Sequence, residues 1–112
     1  MRRVIIESPF AGDRERNHAY LLDCIRDCYA RGEAPIASHC IGPLVLDDAV
    51  PEQRAQGIAA GVAWIAVAGR LAVYTDLGIS RGMQAAIDHA GAIGTPISFR
   101  SLPGWKQREV GA

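Results

Sequence analysis

The chain opens with "RRVIIES" (residues 2–8), whose β-branched centre predicts a short buried strand. "FAGD" breaks that strand, and Asp13 is placed to cap a helix. Over residues 14–31, Leu21, Cys24, Ile25, Cys28 and Tyr29 recur at helical spacing, with Arg16, Asp23 and Asp27 opposite. Gly32 supplies the stop. "APIASHCIG" (34–42) predicts a second strand, apolar until the polar pair Ser38-His39. After the connection "PLVLDDAV", Pro51 suits the first turn of a helix that reaches about residue 68. That helix is polar at first and almost wholly apolar later, and Gly57 and Gly61 allow another backbone to approach closely. "RLAVYTD" (70–76) is the third strand, residues 80–94 the next helix with Ser80 as cap and Gly94 as stop, and "TPISFRSL" the fourth strand.

The alternation is β-α-β-α-β-α-β. Near-continuous apolar strands joined by helices imply a parallel sheet covered on both faces, a three-layer α/β/α arrangement. Crossover rules make it a small Rossmann-like doubly wound sheet, most simply in strand order 2-1-3-4. Ligands of such sheets sit beyond the carboxyl ends of the strands, where strands 1 and 3 diverge. The sequence lines that edge with Ser8-Pro9-Phe10, Ser38-His39 and the stretch from Asp76 to Ser80.

With 112 residues the chain is read as one domain, a core over 1–100 and a polar tail over 101–112. Formal net charge is zero, which argues against electrostatic capture of a nucleic-acid polymer or an anionic membrane. The longest apolar-leaning run, residues 57–69, falls short of the ~20 residues a membrane span needs. No secretory leader is read in Met1-Arg2-Arg3, so a soluble, cytoplasmic protein is expected. Cys24 and Cys28 share one helix face. Joined to His39 and Cys40 they invite a metal reading, but the spacing lacks the usual knuckle. Buried thiols, with no metal and no cofactor, are the expectation.

"ESPFAGD" with Asn17, then "PIASH", "PEQRAQG" and "GISRGMQAAIDHA", recur in an order that resembles the small nucleoside 2-deoxyribosyltransferase-like proteins. The resemblance runs to about Arg100. It implies a Rossmann-like fold that binds a nucleoside or nucleotide as its small-molecule partner. In active members it implies N-glycosidic cleavage or deoxyribosyl transfer by a glutamate near the start of the third long helix. Ala86 stands at that position. An alanine forms no glycosyl ester and stabilises no oxocarbenium charge, so base release is expected to be absent or very slow. Asp88, two residues on and about 200° round the helix, does not substitute. A divergent hydrolase or transferase, a module that binds or sequesters a nucleotide-derived signal, and a structural oligomer with an unused cleft therefore all stand open.

Each candidate ligand residue carries a second reading. Ser80 with Gly78, Gly82 and Met83 forms either an anion site at a helix N-terminus or a plain cap on a tight turn. Asp76, the candidate acid or base, either meets the ligand or caps a loop. His39 holds ligand or a loop carbonyl, and Arg54 clamps a phosphate or solvates a helix face. Ser8 and Pro9 line the same edge; Phe10 stacks on a base or belongs to the core, and Asn17 fixes the loop after the first strand. Trp64, on a helix apolar all round, has a core reading and an interface reading, of which a homo-oligomer interface is favoured.

Overall fold

In the computed structural model, residues 1–105 are described, the side chains of Cys40 and Ile41 excepted. Val4, Ile5 and Ile6 form the buried centre of β1 (Arg2–Glu7). Because side chains alternate along a strand, Val4 and Ile6 face one layer and Ile5 the other. Val4 and Ile6 join Ala72 and Tyr74 beneath α1 (Arg14–Ala30), against Tyr20, Leu21, Cys24 and Cys28. Ile5 joins Leu71 and Val73 on the opposite face, against Ile65 of α3 (Pro51–Val67) and Met83 and Ala90 of α4 (Arg81–Ile93). β1, β2 (Glu33–Ile36), β3 (Arg70–Tyr74) and β4 (Ile97–Arg100) form one parallel sheet in the order β2-β1-β3-β4. This is the α/β architecture, and the strand order, that the sequence pattern predicts.

Three expectations are corrected. The second strand ends at Ile36, where its pairing with Ile5 ends. Ser38 and His39 instead open a one-turn helix, α2 (Ser38–Ile41), that runs into a 3-10 turn. Gly57 and Gly61 serve contacts inside the chain. A Cβ at Gly61 meets Ser38 Oγ at 3.3 Å, so that glycine lets α2 lie close against α3, whereas one at Gly57 makes an ordinary contact with Leu46 at 3.4 Å. The described part of the tail is not merely polar: Trp105 is buried, stands edge-on to Tyr20 at 5.1 Å and donates to Asp23 Oδ2 at 2.7 Å. The rest of the tail, 106–112, lies outside the described residues.

The two edge strands are tied across the α1 face. Arg100 of β4 donates twice to Glu33 of β2, both at 2.7 Å, and once to Tyr74 at 3.2 Å. The guanidinium holds the Glu33 carboxyl below its ordinary value. Tyr74 in turn donates to Asp27 at 2.7 Å and lies 3.3 Å from the Cys28 thiol, so most of these polar groups meet one another, while Arg100 Nε is buried with no partner among the described residues. Cys24 and Cys28 are buried free thiols. No described helix is long and apolar enough to cross a membrane.

Candidate functional site

The loop after β1 is built by α1. Asn17, buried on its first turns, donates from Nδ2 to the carbonyls of Phe10 at 3.2 Å and Ala11 at 2.9 Å. One turn further, the Tyr20 hydroxyl donates to Asp76 Oδ2 at 2.7 Å and accepts from the Asp76 N–H at 3.0 Å. Two neighbouring side chains of one helix thus hold the ends of β1 and β3, the adjacent strands where the ligand is expected. The Leu102 N–H adds a second bond to Asp76 Oδ2 at 2.8 Å. Asp76 is therefore a loop anchor first. Its Oδ1 is enclosed and has no partner among the described residues.

Ser8 and His39 meet at the ends of β1 and β2, with Ser8 Oγ 3.1 Å from His39 Nε2. That is the spacing of a nucleophile and its base, but the rest of the constellation is missing. No described carboxylate orients Nδ1, which is enclosed and unpartnered, and burial pushes the imidazole down to about 4. His39 is neutral at physiological pH and contributes a hydrogen bond, not a cation. Phe10 stands edge-on to it at 6.5 Å, and the Arg14 guanidinium covers one face of the Phe10 ring at 5.1 Å. Pro9 is buried beside Ser8.

The turn after Asp76 reaches α4 through Gly78, whose φ of 87° lies in the left-handed region that glycine tolerates. Ser80 caps the helix: its Oγ accepts from the Met83 N–H at 3.2 Å, while its own N–H donates to Met83 Sδ at 3.4 Å. The first helical bond runs from Gln84 to the Ser80 carbonyl. The N–H groups of Arg81 and Gly82 are left without an acceptor among the described residues, and both residues are exposed. Such a pair, at the positive end of a helix, has the chemistry to receive an anion.

Arg54 sits exposed on the first turn of α3. Ala86 is half-buried against the apolar cluster of Met83 and Ala90, and Asp88 is exposed, accepting from Gln84 at 2.9 Å. One residue was missed by the sequence reading, and a second was noted there only as a carboxylate near the pocket. Tyr20, the positioner of Asp76, carries no local signal, because its partner is 56 residues away. Glu7 was legible: it follows Ile5 on the inward alternation, where an apolar residue belongs.

The solved structures give the class first. The chain has the fold of a 2-deoxyribosyltransferase from Bacillus psychrosaccharolyticus, at a TM-score of 0.67 and 14% identity, over 88% of this chain and 72% of that one. It also superposes on a CMP N-glycosidase from Clostridium botulinum, with TM-score 0.53 and 19% identity, over 89% of this chain and 69% of that one. At those identities the likeness is one of fold. Residues 2–100 match a domain family of unknown function, DUF7768, and the chain belongs to that family. No curated protein matches the sequence.

Proposed function

We propose that this protein binds a nucleoside or nucleotide across the carboxyl ends of β1 and β3. The ligand lies between Ser8-Pro9-Phe10 and the turn from Gly78 to Met83. Its anionic group meets the N–H groups of Arg81 and Gly82, with the Ser80 hydroxyl as a third donor and Arg54 and His39 at the side. The observation that carries this reading is the open first turn of α4, two exposed backbone donors beside a glycine-bearing turn. Support comes from the fold shared with two proteins that, by their names, act on nucleosides and on CMP. The orphaned Oδ1 of Asp76 and Nδ1 of His39, both at the same end of the sheet, add to it, since buried polar atoms without partners mark places where a ligand or water belongs. A second copy of the chain is the proposed macromolecular partner, seated on α3.

Calorimetric titration with nucleosides and their 5′-monophosphates tests the placement. Ser80→Ala is expected to weaken binding of a phosphorylated ligand by about 1 kcal/mol. Gly82→Val is the sharper test, because a Cβ there meets no atom of the fold within 4 Å. The variant therefore keeps the fold while crowding the anion, and its affinity is expected to fall further than that of Ser80→Ala. Unchanged nucleotide affinity in both variants refutes the placement.

A further inference from the structure

Glu7 ends β1, and nothing in the fold uses it. It shares a strand face with Ile5, which packs with Val73 and Met83, so it points toward the α3 and α4 layer and lies opposite Val73 in register. Its side chain is mostly buried yet makes no hydrogen bond or ion pair with any described residue. Asp23, Asp27, Glu33 and Asp76 all have partners. Burial pushes the Glu7 carboxyl up to about 7. Its oxygens are not enclosed as Asp76 Oδ1 and His39 Nδ1 are, so the carboxyl is recessed but still reachable. The same layer holds Ala86, the α4 position where the resemblance puts a nucleophile. A buried, unpartnered carboxylate works against the fold, and such groups gather where chemistry needs them.

We propose that Glu7 is the catalytic carboxylate of this cleft, acting from β1 as general base for hydrolysis of an N-glycosidic bond. The proposal rests on the nucleotide-binding reading above and reverses what Ala86 alone implies. A water oxygen bonds to the anomeric carbon of the sugar and gives a proton to Glu7. The bond from that carbon to the base nitrogen breaks, and its electron pair leaves with the base, which takes a proton from solvent. Glu7 returns its own proton to solvent, so one water is consumed and a free base and a free sugar, or sugar phosphate, are formed. A carboxyl that titrates near neutrality both accepts and releases a proton at working pH.

The test measures binding by calorimetry and free base by chromatography on the whole chain, with 2′-deoxynucleosides, ribonucleosides and their 5′-monophosphates. The unmutated protein is expected to release base from a ligand that it binds. Glu7→Gln is expected to bind that ligand within about threefold of the unmutated affinity and to release base at least ~100-fold more slowly. Glu7→Asp keeps part of the rate and the fall in rate below a pH of about 7 that marks a titrating base. Binding without any base release by the unmutated protein, or release by Glu7→Gln at the unmutated rate, overturns the proposal and leaves the binding site standing. If no ligand of the panel binds, the nucleotide reading fails and this inference with it.

Discussion

Glu7 and His39 carry opposite pH signatures. The His39 pKa is depressed from 6.5 to about 4, so the folded state takes up its proton later than the unfolded chain as pH falls. Its stabilising contribution is complete above 6.5 and is lost as pH falls toward 4. The Glu7 pKa is raised from 4.5 to about 7, so the folded state keeps a proton that the unfolded chain has released. Its contribution is complete below 4.5 and is lost as pH rises through about 7. Each effect is on the order of 3 kcal/mol, and they oppose one another between 4.5 and 6.5. Glu7→Gln is therefore expected to raise the Tm at pH 8 and to change it little at pH 4. It also unmasks the His39 slope, so that stability climbs steadily from pH 4 to 6.5. Equal Tm for Glu7→Gln and the unmutated protein at pH 8 contradicts this account.

At the scale of elements, α1 acts as a jig and α3 as a lid that is only partly seated. α1 presents Asn17 to one loop and Tyr20 to the other, which fixes the spacing of the two strand ends. α3 buries only Ile65, and its glycines receive α2 and Leu46. Gly61→Leu is accordingly expected to destabilise the protein by about 1–3 kcal/mol, because Ser38 Oγ already lies at the limit for a Cβ. Gly57→Ala is expected to stabilise it by roughly 0.5–1 kcal/mol, since its Cβ makes an ordinary contact and glycine is a poor helix former. Denaturant titration of both variants checks the pair. Equal effects would mean that the two glycines are not told apart by what lies against them.

For the whole molecule, the unfinished surface is α3. Trp64 and Val67 share one face of it, 50% and 52% exposed, and no charged residue occurs from 55 to 69. A second copy covering this face removes it from water. Sedimentation at micromolar concentration is expected to show a dimer or larger, and Trp64→Glu a monomer with an unchanged fold. A monomeric unmutated protein excludes the interface. The Arg100–Glu33 pair ties the two edge strands of the sheet to each other within one chain.

The strand order, the layers and the capped start of α4 could be read from the sequence, because each follows from local periodicity, from the handedness of crossovers or from the chemistry of one turn. Val4-Ile5-Ile6, Ser80 and Gly94 act through neighbours a few residues away, and the structure places them as that logic requires. The end of the second strand was not legible, since β1 runs on to Glu7 while β2 leaves it after Ile36 to enter α2. Nor was the use of Gly57 and Gly61, which small size alone leaves equally suited to another chain or to α2. Asp76 was open in sequence to a ligand or a loop-capping role, and one of its oxygens is bonded by Tyr20 and Leu102, brought from 56 and 26 positions away. Burial likewise gave His39 its neutrality and Glu7 its retained proton, because desolvation is a property of the assembled layers and of no single segment.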